Sequence, residues 1–278
     1  MLQQHLRQTG FTLIEMIMVV VIMGVIGGTV AVFIRKPVDA YFDTGRRAAL
    51  TDIADTAVRR MSRDISRALP NSIRNASSQC IEFIPTRTGG RYRAAPDAGV
   101  AGNQSAAVLD FTVADTSFNM LSNNSNLPSN QQIQPNDLIA IYNLGISGAD
   151  AYAGDNTAVV SAVVSGAETT ITIGAKQFPF ASGNNRFQVI PGDEKIVAYV
   201  CSGGSLLRSS NYAYTNSCPT TAMTATVAVL ATNVAACNFV AGASDQQRNA
   251  LVQLTLTLTD TSSESVSLYH EVHVSNTP

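Results

Sequence analysis

The chain has 278 residues, a net charge of −2 and 45% hydrophobic residues, so it is long and apolar enough to bury a core. Only 14% of its residues are charged, below the roughly 25% of an average soluble domain. With a pI near 5.9 the chain has no basic field to hold nucleic acid, and nucleic acid is excluded as a partner.

An apolar run near the amino terminus is long enough to cross a membrane. Glu15 is the one ionisable residue between positions 11 and 34. As a helix this run is roughly 36 Å long, against about 30 Å for the hydrocarbon core of a bilayer. The first ten residues are polar, so a secretory signal with an alanine-type cleavage site is not predicted. Basic residues flank both ends, and charge therefore leaves the orientation open.

Glu15 places a carboxylate inside this apolar run, which indicates a functional group with a cationic partner. The alternative is that its side chain reaches the lipid headgroups. If the chain is cleaved after Gly10, Phe11 becomes a free amino terminus one helical turn before Glu15. The new ammonium group is then the expected partner of the carboxylate.

The sequence Gly-Phe-Thr-Leu-Ile-Glu at positions 10–15 resembles the processing site of type IV pilins and pseudopilins. The resemblance implies that a prepilin peptidase cleaves between Gly10 and Phe11 and methylates the amino group of Phe11. It also implies that Glu15 forms an assembly ion pair with the amino terminus of a neighbouring subunit. Pairing of Glu15 with the positive end of its own helix is a competing account.

Residues 37–70 are predicted to form an amphipathic stem helix that continues the anchor and ends at Pro70. Three glycines at positions 24, 27 and 28, followed by Pro37, predict a kink or local melting, with close helix packing as the alternative. Arginines and aspartates alternate on the polar face, which predicts a solvated face rather than a nucleic-acid stripe. The predicted buried face consists of Leu50, Ile53, Ala57, Met61, Ile65 and Ala68.

After Pro70 the apolar pattern changes to strand spacing. Strands are predicted at 80–87, 107–113, 137–144 and 186–190. Three hairpins are predicted, at 157–164 with 169–174, 196–201 with 206–208, and 251–258 with 265–274. Surface loops are expected at 103–130 and 147–156.

The predicted fold class is α+β, with a long amino-terminal helix packed on a mostly antiparallel β-sheet head, as the pilin resemblance also implies. The predicted organisation is a cleaved leader (1–10), a transmembrane helix (11–36), the stem (37–70) and a periplasmic head (71–278). Residues 59–73 resemble the stem of J-type minor pseudopilins. Segments at 199–208, 236–239 and 264–278 resemble biogenesis proteins of the mannose-sensitive haemagglutinin (MSHA) pilus.

All four cysteines lie in the head, and their even number predicts two disulfides with three possible connectivities. The favoured pairing is Cys201 with Cys218, which closes a short loop and leaves Cys80 with Cys237. A zinc site is the alternative, but the cysteine spacing does not suit structural zinc.

No catalytic, cofactor or metal site is predicted, and no enzyme signature is found. His270 and His273 are three residues apart in a predicted strand, which is not the helical zinc spacing. His270 is expected to be a hydrogen-bonded core histidine and His273 to be exposed. Asp150 and Asp155 lie in a loop without the spacing of a calcium motif, so a solvated loop is favoured over calcium binding.

The resemblance implies a minor pilin or pseudopilin that is anchored by one pass in the inner membrane, with its head in the periplasm or at a pilus tip. Its implied partners are the prepilin peptidase, other minor pilins, the major pilin, membrane lipid and the inner-membrane assembly platform. The alternatives are a J-like pseudopilin of type II secretion and a pilus-tip adhesin. Sparse aromatic residues, 6% with no tryptophan, disfavour a sugar-stacking adhesin site.

Overall fold

The structure is a computed structural model that describes residues 10–96, 108–212, 214, 219, 226–242 and 249–278. The chain divides into two compact units, Met1–Ala49 and Leu50–Pro278. The predicted leader lies outside the described residues except for Gly10. The predicted boundaries at residues 36 and 70 stay predictions.

Helix α1 spans Leu13–Ile65 and is the one helix in the described ranges that is long and apolar enough to cross a membrane. It continues without interruption through Pro37, so local melting, one of the predicted alternatives, is wrong. Proline removes one backbone donor, which a helix of this length tolerates when the flanking turns stay bonded. The side chains of its apolar part are exposed, which suits a segment whose natural surroundings are lipid.

The last part of α1 buries one face in the second unit. Leu50, Ala57, Met61 and Ile65 are buried as predicted, whereas Ile53 is 38% exposed. The buried stripe instead includes Ala54, four residues after Leu50, and Val58, three residues before Met61.

Fourteen strands follow α1 in the described ranges, and every named strand pair is antiparallel. They are β1 (Arg74–Ser77), β2 (Cys80–Phe83), β3 (Thr88–Arg91), β4 (Asp115–Met120), β5 (Leu138–Ala140), β6 (Thr157–Val164), β7 (Thr169–Lys176), β8 (Arg186–Ile190), β9 (Val197–Ser202), β10 (Ser205–Ser210), β11 (Thr226–Thr232), β12 (Val234–Ala241), β13 (Asn249–Thr259) and β14 (Ser265–Ser275). The α+β class and the antiparallel head are confirmed.

Two sheets pack around the buried face of α1 and form the first core, here called the stem core. One sheet has the order β1-β2-β9-β10-β11 and the other β12-β13-β14. Their inward side chains meet those of α1 in one cluster, which includes Met61, Ile65, Phe83, Tyr199 and Leu254. The last part of α1 is therefore an integral part of the stem core.

Strands β3 to β8 form a third sheet with the order β3-β8-β5-β6-β7-β4. A bridge between Tyr92 and Met120, together with the hydrogen bond from Leu121 N to Arg91 O at 2.9 Å, joins its first and last strands. The sheet thus closes into a small barrel, which has its own core around Phe118 and Phe187. In the sequence this barrel is an insertion between β2 and β9.

The three predicted hairpins are confirmed as β6–β7, β9–β10 and β13–β14. The strand expected at 107–113 is wrong over its described part, because Asp110 Oδ1 accepts hydrogen bonds from the backbone N and hydroxyl of Thr112 and curls the chain. The expected loop at 103–130 contains β4, and β1, β3, β11 and β12 were not predicted.

A polar contact holds the end of α1 on the sheet. Asp64 Oδ2 accepts a hydrogen bond from the Tyr199 hydroxyl at 2.6 Å and one from Arg208 Nε at 2.9 Å. Arg208 also donates to both carboxylate oxygens of Glu194. Burial, and then the charge of Asp64, raises the pKa of Tyr199, so its hydroxyl stays a donor to the carboxylate.

The buried face of α1 makes a prediction for stability. Met61→Ala should lower the free energy of unfolding of the second unit by about 2–5 kcal/mol, because Met61 is fully buried and its removal leaves a cavity. Arg60→Ala, at the adjacent exposed position, should change it by less than about 0.5 kcal/mol. Denaturant unfolding of the detergent-solubilised chain measures both, and equal effects of the two variants would contradict this packing.

Candidate functional site: the amino-terminal processing motif

The predicted cleavage site lies just outside the first turn of α1. Gly10, Phe11 and Thr12 have no regular secondary structure, and the helix begins at Leu13. Gly10 is exposed, and the Phe11 side chain is 82% exposed. The peptide bond between them is therefore not held in a helix, so an enzyme can reach it without unwinding a turn.

Thr12 and Glu15 form a capping box at the start of α1. Glu15 Oε2 accepts hydrogen bonds from the Thr12 backbone N at 2.9 Å and from the Thr12 hydroxyl at 3.0 Å. The Glu15 backbone N in turn approaches the Thr12 hydroxyl at 3.4 Å. This reciprocal arrangement satisfies donors that the first helical turn leaves unpaired.

The capping box uses one oxygen of the Glu15 carboxylate. The other oxygen, Oε1, has no hydrogen bond to any of the described residues. A carboxylate accepts several hydrogen bonds, so Glu15 can cap its own helix and still receive a cation from another molecule. The role of Thr12 was missed in the sequence, although threonine three residues before glutamate ahead of an apolar run is the signature of a capping box.

The disulfide of the head differs from the favoured pairing. Cys201 is bonded to Cys237, with Cα atoms 6.4 Å apart, so the predicted pairings Cys201–Cys218 and Cys80–Cys237 are wrong. Cys80 is also disulfide-bonded, and Cys218 lies outside the described residues. The turn between β1 and β2 explains the bond, because Gln79 O accepts from Cys201 N and Ser78 O accepts from Phe239 N. This turn brings β9 and β12 together.

Both histidines of β14 are exposed. For His273 this was predicted, but the expectation of a core position for His270 is wrong. His270 shares the inward face of β14 with buried Val272 and Val274, yet β14 is an edge strand, so its middle is open to solvent. His270 Nε2 lies 3.3 Å from the Ser62 hydroxyl of α1.

The loop considered for calcium already satisfies its carboxylates with protein donors. Asp155 Oδ2 accepts from Gly148 N at 2.9 Å, and Asp150 Oδ2 accepts from Arg74 at 2.7 Å. The Arg74 guanidinium also lies 3.7 Å from the centre of the Tyr152 ring. Among the described residues, no group of three or more His, Cys, Asp or Glu is placed to hold a metal ion.

The arginines of the stem lie on its exposed face, as predicted. Arg59 pairs with Asp55 one turn earlier, at 2.6 Å. Arg60, Arg63 and Arg67 are exposed. This arrangement fits a solvated face whose opposite side is buried in the stem core.

Glu82 is a buried carboxylate in β2. Its Oε2 accepts a hydrogen bond from the Tyr212 hydroxyl at 2.6 Å. Burial raises the pKa of Glu82, and the hydrogen bond from Tyr212 and the charge of Arg74 only partly offset that effect. The folded head therefore holds a proton on Glu82 more tightly than the unfolded chain does.

Comparison with known proteins identifies the amino-terminal motif. Residues 5–31 match the family described as the prokaryotic N-terminal methylation motif. This match supports a protein of the type IV pilin-like superfamily, a class of prepilin peptidase substrates. The motif and the apolar helix that it overlaps fit a membrane-anchored protein. No curated protein matches the chain, and no solved structure does.

The disulfide makes a prediction for peptide mapping. Non-reducing digestion of the purified chain should yield a peptide pair joined through Cys201 and Cys237. Replacing both with serine should cost up to about 4 kcal/mol, because the bond closes a loop with a sequence separation of 36. A peptide pair joined through Cys201 and Cys218 would contradict the observed connectivity.

Glu82 makes a prediction for the pH dependence of stability. A carboxyl group with a raised pKa contributes stability below its unfolded pKa of about 4.3, and that contribution is lost as the pH rises through the folded pKa. Glu82→Gln should therefore gain in thermal stability relative to the wild type as the pH rises from about 4 to 7. Asp52→Asn, at an exposed position, serves as the control. A difference in Tm between Glu82→Gln and the wild type that does not change with pH would contradict the raised pKa of Glu82.

Proposed function

We propose that the chain is a minor pilin or pseudopilin, a non-catalytic subunit that primes or caps the assembly of an MSHA-type pilus. The observation that carries this proposal is the methylation motif at residues 5–31, which includes the start of an exposed apolar helix. The resemblance of the head segments to biogenesis protein O of the MSHA pilus supports the finer assignment to an MSHA-type pilus. The subunit is anchored in the inner membrane by one pass, and its head lies in the periplasm or at the pilus tip.

The first step is processing by the prepilin peptidase. Cleavage between Gly10 and Phe11 releases the leader, and methylation of Phe11 follows. The exposed, non-helical chain at these two residues supports access by the peptidase.

The second step is lateral pairing through Glu15. In a bundle of apolar helices the carboxylate is costly unless a cation neutralises it. The amino terminus of a neighbouring subunit supplies that cation. The capping box supports this pairing, because it holds the carboxylate in place and leaves Oε1 without a hydrogen bond from any described residue. Contacts with the other minor pilins, the major pilin and the assembly platform then fix the position of the subunit in the filament or tip complex.

The processing step predicts the amino terminus of the mature protein. Mass spectrometry of the chain purified from its native host should find a polypeptide that begins with N-methylated Phe11. Gly10→Val should leave the leader attached, because the side chain obstructs the peptidase at the cleaved bond. A mature chain that begins at Met1 would contradict the proposal.

The pairing step predicts how two substitutions of Glu15 compare. Glu15→Ala removes both the capping box and the charge, whereas Glu15→Gln keeps a capping oxygen and loses only the charge. Both variants should be cleaved and inserted, and both should fail to enter a filament or tip complex. Co-purification with the other minor pilins measures incorporation. Normal incorporation of Glu15→Gln would show that Glu15 acts only as a helix cap.

A J-like pseudopilin of type II secretion is the competing assignment within the same superfamily. Deletion of the gene separates the two, since loss of surface pili supports the pilus role and loss of protein secretion supports the secretion role.

A further inference from the structure

The barrel carries two arginines directly opposite each other on neighbouring strands. Arg91 of β3 is in register with Arg186 of β8, so their side chains point to the same face, with Cβ atoms about 5 Å apart. The neighbouring Gly90 and Phe187 face the interior, because Phe187 is buried and a Cβ atom at Gly90 would lie 2.7 Å from its ring. Arg91 and Arg186 therefore lie on the outer surface, and both are exposed.

No carboxylate among the described residues neutralises this pair. Neither Arg91 nor Arg186 makes a side-chain hydrogen bond or ion pair in the part of the chain that the structure describes. By contrast, Arg93 pairs with Glu168, and the Lys176 ammonium donates to a backbone carbonyl at 2.7 Å. Like charges directly opposite in a sheet are destabilising, so the pair lowers the stability of the barrel when nothing is bound.

A groove opens beside the two arginines on the same face. The Gln188 side chain lies over Gly89, since a Cβ atom at Gly89 would be 2.7 Å from Gln188 Oε1. The groove has a volume of about 350 Å³. Its charged groups are two guanidiniums, and the amide of Gln188 adds a further donor. The lining residues are Gly89, Gly90, Arg91, Arg186, Phe187 and Gln188.

We propose that this groove binds an oxoanion, the carboxylate, sulfate or phosphate group of a small ligand such as an acidic sugar. Guanidiniums present paired N–H donors that match these groups, and a bound anion removes the repulsion between the arginines. A single-stranded nucleic acid is disfavoured because it needs exposed aromatic stacking, and the ring of Phe187 is buried. The site is independent of the processing motif and of the proposed role in assembly.

The test is thermal unfolding of the detergent-solubilised full chain at constant ionic strength. Sodium glucuronate, sulfate and phosphate each replace sodium chloride, and glucose is the neutral control. At least one anion should raise Tm by about 2–4 °C at concentrations well above its dissociation constant. The comparison among the three identifies whether a carboxylate, sulfate or phosphate is preferred.

Two variants and a matched control make the test specific. Arg91→Gln, or Arg186→Gln if the first is poorly folded, should have a higher Tm than the wild type without the anion and should lose the anion-dependent rise. Lys195→Gln removes an exposed charge outside the groove and should keep that rise. A general stabilising effect of sulfate persists in all variants and is thereby separated from binding.

Three outcomes would overturn the proposal. The first is no rise in Tm with any of the three anions. The second is an anion-dependent rise in Arg91→Gln equal to that of the wild type. The third is a loss of that rise in Lys195→Gln equal to the loss in Arg91→Gln. A rise produced through Arg91 and Arg186 by an oligonucleotide but not by the small anions would assign the groove to nucleic acid instead.

Discussion

The packing of α1 against two sheets is the contact on which the head depends. Residues from Met61 to Ile65 supply apolar side chains to the stem core, and between them Asp64 turns to Tyr199 and Arg208. A helix with one buried face and one exposed face cannot be removed without opening the core to water. The stem is therefore both a connection to the anchor and a structural part of the domain it carries.

The amino-terminal end of the same helix meets a different constraint. There the side chains are exposed and apolar, and a lone carboxylate is tolerable in lipid only when it is bonded. The capping box with Thr12 gives Glu15 two donors from its own chain. Helix capping is thus compatible with the proposed pairing between subunits, since the hydrogen bonds from Thr12 use one oxygen of the carboxylate.

The inserted barrel has a core of its own, so the packing of α1 and the display of surface charge depend on different parts of the head. Its interior packs around Phe118 and Phe187, apart from the stem core, and a small cluster packs Ala140 of β5 and Ile190 of β8 against Leu69 and Ile84. Because the outer face of the barrel does not contribute to the stem core, it can carry a charged pair at little cost to the packing of α1. Surface charge of this kind is suited to recognition rather than to stability.

The processing motif, the apolar helix and the hairpins with short turns can be predicted from the sequence, because each depends on neighbours along the chain. The sequence also indicated the buried stripe of α1, with an error at Ile53. Three features depend on the tertiary structure. They are the Cys201–Cys237 bond, the exposure of His270 and the closure of the barrel. These depend on which strands lie side by side and which lie at an edge, and distant segments of the chain fix that arrangement only when they pack together.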